Sequence, residues 1–279
     1  MTIDEIIDEA LKEDIGDGDI TSLAIFPGEA RSKAQLKIKD EGVLAGVPLA
    51  EKIFMKVDPG LKTEVFIRDG THVSYGDIVL TVKGSTISIL AAERLVLNFM
   101  QRLSGIATAT AKVVARLEGL HTRVLDTRKT TPNLRELEKY AVRMGGGVNH
   151  RIGLYDMVLI KDNHVDMAGG IVPAIMAARK YLTDTRKPDI KIEIEVRNSR
   201  ELDEALAYGQ VDRIMLDNYT PESLRDAVKR VNGKFETEAS GGITIENVRE
   251  YAESGVDFIS VGALTHNFRS LDMNLKMIT

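Results

Sequence analysis

Cysteine and tryptophan are both missing from this chain of 279 residues. Without cysteine there is no disulfide framework, no thiolate nucleophile and no cysteine zinc site. Aromatic residues make up only 5% of the sequence and the net charge is −5, which argues against nucleic-acid binding as the main role. No run approaches the roughly 18 uninterrupted apolar residues of a membrane span, so no membrane partner is expected. The opening stretch, MTIDEIIDEALKED, is acidic and amphipathic, unlike a signal or transit peptide. These absences together predict a cytoplasmic protein.

What is present divides into two rhythms. Thr2-x-x-Glu5 is a capping box, and Ile3, Ile6, Ile7, Ala10 and Leu11 form one apolar stripe, so a first helix is expected to about Asp14. EDIGDGDIT behind it reads as a solvated turn; no bidentate glutamate follows at the spacing a calcium loop needs. From Arg31 to Gly84 the pattern is short strands (AQLKIK, GVLAGV, TEVFIRDG, DIVLTVKG), interrupted by one helix from Pro48 to Val57, with His72 in a turn. Ile87 to Leu117 is helical, and Gly105 either splits it or lets another segment pack closely, just after Arg102. Beyond Leu120 strands and helices alternate. Strands are expected at 122–126, 157–161, 191–196, 212–217, 235–239 and 257–261, with helices at about 134–143, 168–181, 199–208, 221–231 and 244–254. Six strands repeating at about 22 residues suit a closed or nearly closed βα barrel, short of the usual eight. MNLKMI in the tail reads as a strand returning to the first domain. The expected fold is α/β: an N-terminal α+β open-sandwich domain at 1–118, an incomplete βα barrel at 119–266, and a returning tail at 267–279.

Charge is concentrated in one stretch. Between Arg123 and Asp162 there are eight cations against five anions, a balance of +3 in a chain that is acidic overall. RELEKYAVR pairs its charges at helical spacing, but TRK at 127–129 and NHR at 149–151 do not, and they follow a strand-like run or a glycine run. This predicts a site for a substrate with several negative charges. In βα barrels the working residues lie at the C-terminal ends of strands. Here those ends carry Asp126, Arg128 and Lys129, then Lys161 and Asp162, Glu195, Asp217, Ser240-Gly241-Gly242, and Gly262. The last two ends read as phosphate-holding loops or as plain tight turns. Glu195 and Asp217, at equivalent places on successive strands, suit Mg²⁺ binding, ribose hydroxyls or acid/base work, with ion pairing to Arg128 and Lys161 as the alternative. Glu193 shares the face of Glu195 but lies farther from the strand end. Lys161 could be a Schiff-base nucleophile, though its cationic neighbours fit anion binding. His150 could be a proton donor, a carboxylate ligand or a cap.

A run of segments resembles one family. LKEDIGDGDIT (11–21), NFMQRLSGIAT (98–108), DTRKTTP (126–132), EKYAVRMGGGVNHR (138–151), LIKDNH (159–164), IEIEV, IMLDN (214–218), EASGGI (238–243) and ISVGALTH (259–266) closely resemble the quinolinate phosphoribosyltransferases over almost the whole chain. The resemblance implies a seven-stranded incomplete barrel. It implies transfer of phosphoribosyl from phosphoribosyl pyrophosphate to quinolinate, with decarboxylation to nicotinate mononucleotide, in NAD biosynthesis. It further implies Mg²⁺ with the pyrophosphate and a homodimer, or a higher oligomer built on it. By matching motifs, Arg102, Arg128, His150 and Arg151 resemble the quinolinate carboxylate ligands, with Thr127 in the same substrate set. Lys129 and Lys161 resemble the lysines that reach carboxylate or pyrophosphate. Glu195 and Asp217 resemble the ribose and magnesium carboxylates, and with the two lysines they make up the implied catalytic set. Ser240, Gly241 and Gly242, with Val261, Gly262 and Ala263, resemble the 5-phosphate loops. Arg102 is implied to reach the barrel mouth of the other subunit.

Overall fold

In the computed structural model, which describes residues 1–278, Thr2 and Glu5 exchange side-chain and backbone hydrogen bonds and open helix α1 (Ile3–Ile15). The acidic stretch behind it does more than turn the chain. Asp19 accepts from the N–H groups of Thr21 and Ser22 and starts a second short helix, α2 (Ile20–Ile25). Strands β1 (Arg31–Ile38) and β2 (Gly42–Val43) follow, then α3 (Val47–Val57), β3 (Lys62–Val65), β4 (His72–Val73), β5 (Ile78–Ser85) and the long helix α4 (Thr86–Ala115). GVLAGV gives only two strand residues because α3 begins at once, its first N–H groups taken by the Asp69 carboxylate. His72 is an exposed strand residue opposite Val43 rather than a turn residue.

The remaining elements are β6 (Arg123–Leu125), α5 (Arg135–Met144), β7 (Val158–Ile160), α6 (Asp162–Ala168), α7 (Ile171–Asp184), β8 (Ile192–Val196), α8 (Ser199–Tyr208), β9 (Arg213–Asp217), α9 (Pro221–Val231), β10 (Glu236–Ser240), α10 (Val248–Ala252), β11 (Phe258–Ser260), α11 (Ala263–His266) and β12 (Met273–Ile278). None of the described helices is long and apolar enough to cross a membrane. Two compact units result. The first takes Met1–Ala111, Thr131–Gly146 and the chain from Asn267; the second takes Lys112–Thr130 and Gly147–His266.

In the first unit an antiparallel sheet runs β12-β1-β5-β3, with Leu36 of β1 opposite Leu275 of β12 and Leu80 of β5. Alternation along β1 buries Ala34, Leu36 and Ile38 on one face. Helix α4 runs unbroken through Gly105. A Cβ there would stand 2.5 Å from the Arg269 carbonyl oxygen, so the glycine admits the tail, which Gln101 holds by its own carbonyl and by its side-chain amide on Met273. Residues 131–146 lie in this first unit, not with the barrel as the 119–266 boundary has it. The reason is side-chain anchoring: the Tyr140 hydroxyl donates to Asp69 at 2.6 Å, and Glu138 binds Arg102 of α4. Gly145 closes the same junction, because a Cβ on it would lie 2.3 Å from the Ala107 carbonyl oxygen. Gly145→Ala is therefore expected to destabilise the protein by about 1–3 kcal/mol through overpacking, read from denaturant unfolding. An unchanged midpoint would mean that α5 docks more loosely than these contacts imply.

In the second unit all six strands are parallel, in the order β6-β11-β10-β9-β8-β7. The ladder does not close: β6 and β7 stand at opposite ends, and Leu125 adds one parallel bridge to Val148. Every residue of β8 is buried, Ile192, Ile194 and Val196 on one face and Glu193 and Glu195 on the other. One face of this sheet is apolar and the other carries charge.

Candidate active site

The strand ends of the second unit hold most of the residues that the sequence singles out. At the end of β7, the Lys161 ammonium donates to Glu195 Oε2 at 2.6 Å, while the Asp162 N–H approaches Oε1 at 3.4 Å. The Lys161 N–H donates to His164 Nδ1, so His164 serves the start of α6. At the end of β9, Asp217 accepts from the Ser240 hydroxyl with one oxygen and from the Asn218 amide with the other. Gly241 follows Ser240 with φ +94°, and a Cβ on it would collide with Asn218 Oδ1, so the turn demands glycine. The helix expected directly after this loop starts only at Val248; Asn247 closes the loop instead, accepting from Thr244 N–H and donating to the Gly242 carbonyl. After β11, Val261 N–H donates to the Leu125 carbonyl, and α11 begins at Ala263 straight after Gly262. Thr265 of that helix donates to the Lys129 carbonyl at 2.8 Å, and Thr127 Oγ1 accepts from Lys129 N–H. The TRK segment and the Val261–Ala263 turn are thereby tied together.

The Asn149-His150-Arg151 segment is anchored from below. Asp126, fully buried, accepts the His150 N–H at 2.8 Å. The His150 ring points inward, with Nε2 3.0 Å from Glu193 and 3.4 Å from Glu238. Arg213 lies 3.0 Å from Glu238 and 4.0 Å from Glu193, and its guanidinium also stacks over Phe258 at 4.2 Å. Burial pushes the His150 pKa down, but the two carboxylates more than reverse this and favour a proton on the nitrogen that faces them. Burial and the charge of Glu238 push Glu193 up, whereas Glu238, although wholly enclosed, is held down by His150 and Arg213. His150, Glu193 and Glu238 offer ligand atoms within 4.8 Å of one another, a spacing that could hold a metal ion. Arg213 already supplies a cation to both carboxylates. Arg151 itself is half-buried; burial and then the neighbouring Arg128 charge work against its cation. The Glu193 and Asp156 charges favour that cation, as a bound anion would.

Arg102 is in the first unit. Its guanidinium donates to Glu138 at 3.0 and 2.5 Å and to Thr131 Oγ1, with Phe268 beneath it at 4.9 Å, and Glu138 also accepts the Thr131 N–H. The sequence reading missed Glu138, Arg213 and Glu238, and it set Glu193 second to Glu195. A signal existed: I-E-I-E-V and E-T-E-A-S alternate charge with other residues where a parallel strand buried on both faces would be continuously apolar. Cavities of about 460 and 220 Å³ lie in the first unit, the one lined by Leu11, Ile15 and Ile87 among others, the other by Leu49, Leu103 and Tyr140. Neither collects the strand-end residues, so chemistry rather than cavity size identifies the site.

Comparison with known proteins covers almost the whole chain. Residues 19–104 match the family model "Quinolinate phosphoribosyl transferase, N-terminal domain", and residues 106–276 match the corresponding C-terminal domain. A chloroplastic nicotinate-nucleotide pyrophosphorylase [carboxylating] of Oryza sativa subsp. japonica is 46% identical over 98% of this chain and 77% of its own length. A probable enzyme of the same name from Bacillus subtilis is 41% identical over 99% of this chain and 94% of its own. The crystal structure of NadC from Streptococcus pyogenes, 40% identical, superposes with a TM-score of 0.94 over 99% of this chain and 96% of that one.

Proposed function

The chain belongs to the quinolinate phosphoribosyltransferase family, and we propose that its strand-end residues divide that family's reaction among themselves. The enzyme joins the ring nitrogen of quinolinate to C1 of the ribose of phosphoribosyl pyrophosphate. The C1–pyrophosphate bond breaks, the 2-carboxylate leaves as CO₂, and nicotinate mononucleotide remains for NAD synthesis. Arg128 and Arg151, with Thr127 beside Arg128 in the chain, hold the acid's carboxylates; the tie from Thr265 to the Lys129 carbonyl, which joins the TRK segment to the Val261–Ala263 turn at the strand ends, is the observation that supports the reading best. Lys129 and Lys161 take carboxylate or pyrophosphate oxygens. The Lys161 ammonium, held by Glu195, suits anion binding better than attack on a carbonyl. Glu195 and Asp217 stand where positive charge develops on the ribose as its anomeric bond breaks. The loops Ser240–Gly242 and Val261–Ala263 receive the 5-phosphate. Loss of CO₂ leaves an electron pair on ring carbon 2, stabilised by the adjacent quaternised nitrogen and then protonated. No covalent enzyme intermediate is needed.

Magnesium belongs to the proposal. Asp217 and Glu195 are hard oxygen donors of the kind it prefers; Asp217 is the more exposed of the two, and Glu195 is engaged by Lys161. Held there with the pyrophosphate, the ion would neutralise the leaving group. A two-fold dimer with shared sites is also proposed, Arg102 serving the partner subunit from its seat on Glu138. So is a cytoplasmic location, which fractionation tests; several plant relatives are named chloroplastic or mitochondrial.

Glu195→Gln and Asp217→Asn keep size and hydrogen-bonding capacity but remove charge. Each is expected to lower kcat by about a hundredfold or more while the melting temperature moves by only a few degrees. A variant that melts early yet keeps normal turnover per folded molecule would make that carboxylate a structural partner of Lys161 or Ser240.

A further inference from the structure

His150 is implied by the family resemblance to touch the substrate acid, yet its ring is turned away from such a role. Nε2 faces Glu193 and Glu238, and Nδ1 accepts the Arg151 backbone N–H at 2.7 Å. The hydrogen that faces the carboxylates is on Nε2, where their charges favour it. The side chain is only 7% exposed. Its backbone N–H is spent on Asp126. Each of these contacts fixes the loop rather than reaching outward.

The groups that hold the ring come from three adjacent strands. In the sheet register Glu193 of β8 stands beside Arg213 of β9, while Glu238 of β10 stands beside Met215, the row that Glu195 also joins, one step below Asp217. Arg213 bridges the two glutamates and is fixed by Phe258. The ring nitrogen and the guanidinium thus both face the two buried carboxylates, while Arg213 also pairs with Glu236 at 3.1 Å. Arg151 follows His150 directly: its backbone N–H is held by the ring at 2.7 Å, and its guanidinium donates to the Met157 carbonyl at 3.3 Å. We infer that Glu193, Glu238 and Arg213 are positioning residues for the acid-binding arginine: they grip His150 as a buried anchor, and the anchor aims Arg151. This rests on the assignment of Arg151 to the substrate's carboxylates.

The inference separates from a merely structural role through the two substrates. Only the quinolinate side of the site is aimed by this anchor. Glu193→Gln is expected to raise the KM for quinolinate on the order of tenfold, and to leave the KM for phosphoribosyl pyrophosphate within about twofold. In an Arg151→Ala background the same substitution should add less than about twofold, because there is nothing left to aim. Glu238→Gln is the second variant, run through the same comparisons if Glu193→Gln does not fold. His150→Gln provides the conservative test, since its amide can accept the Arg151 N–H and donate to Glu193; it should recover most of what His150→Ala loses in quinolinate affinity, measured by calorimetry without the second substrate. Equal changes in both KM values, a full effect persisting without Arg151, or a glutamine no better than alanine would each overturn the anchor. If Arg151→Ala leaves the KM for quinolinate unchanged, the acid-site assignment falls and the inference falls with it. If Arg151→Ala raises it and the glutamate variants do not, only the inference falls.

Discussion

Arg102→Gln and Lys161→Ala, each nearly inactive alone, are expected to recover about one quarter of wild-type activity when they are unfolded together and refolded. Random pairing makes half of the dimers mixed. In a mixed dimer with sites shared across a two-fold axis, one site lacks both groups and the other has a full set. The choice of glutamine matters, because Glu138 is fully buried and binds Arg102 through two nitrogens. Alanine would leave that carboxylate without its partner, at a cost of about 3–5 kcal/mol, and confuse loss of fold with loss of chemistry. Glutamine can still donate to Glu138 but cannot form a bidentate pair with a substrate carboxylate. Verified mixed dimers that stay inactive would mean that Arg102 serves its own chain, or only the junction among α4, α5 and Thr131.

The second large effect concerns the acceptor. Nicotinate lacks one of quinolinate's two carboxylates, so binding it would withhold one of the anions that the half-buried Arg151 is proposed to meet. Uncompensated cations at partly buried positions cost about 3 kcal/mol or more, which converts to roughly a hundredfold or greater preference in kcat/KM. Burial already works against the Arg151 cation, so this residue should account for much of the discrimination. Arg151→Ala is accordingly expected to narrow the ratio between the two acids. Comparable turnover of both acids by the unaltered enzyme would refute a site built for a diacid.

Much of this was legible in the chain itself. The six barrel strands fall within a residue or so of their expected limits, because period and spacing fix them. The capping box at Thr2 and the returning strand MNLKMI are local signals that tertiary packing did not override. Strand ends could be named because a parallel βα repeat puts its working residues on one rim. What escaped is what depends on partners distant in sequence. That residues 131–146 join the first unit follows from Tyr140 meeting Asp69 and Gly145 meeting Ala107, pairings that no spacing announces. That His150 faces inward depends on Glu193 and Glu238, 43 and 88 residues downstream, converging on one ring. The alternation within IEIEV and ETEAS was the clue, since a charged residue at every second place marks a polar interior.

The most direct measurement is to supply the purified protein with quinolinate labelled at the 2-carboxylate, phosphoribosyl pyrophosphate and Mg²⁺, and to follow released CO₂ together with the pyridine nucleotide. Equal amounts of CO₂ and nicotinate mononucleotide, with neither formed when phosphoribosyl pyrophosphate is omitted, are the predicted result. CO₂ without nucleotide, a product that keeps the carboxylate, or a borohydride-trappable adduct on Lys161 would contradict it.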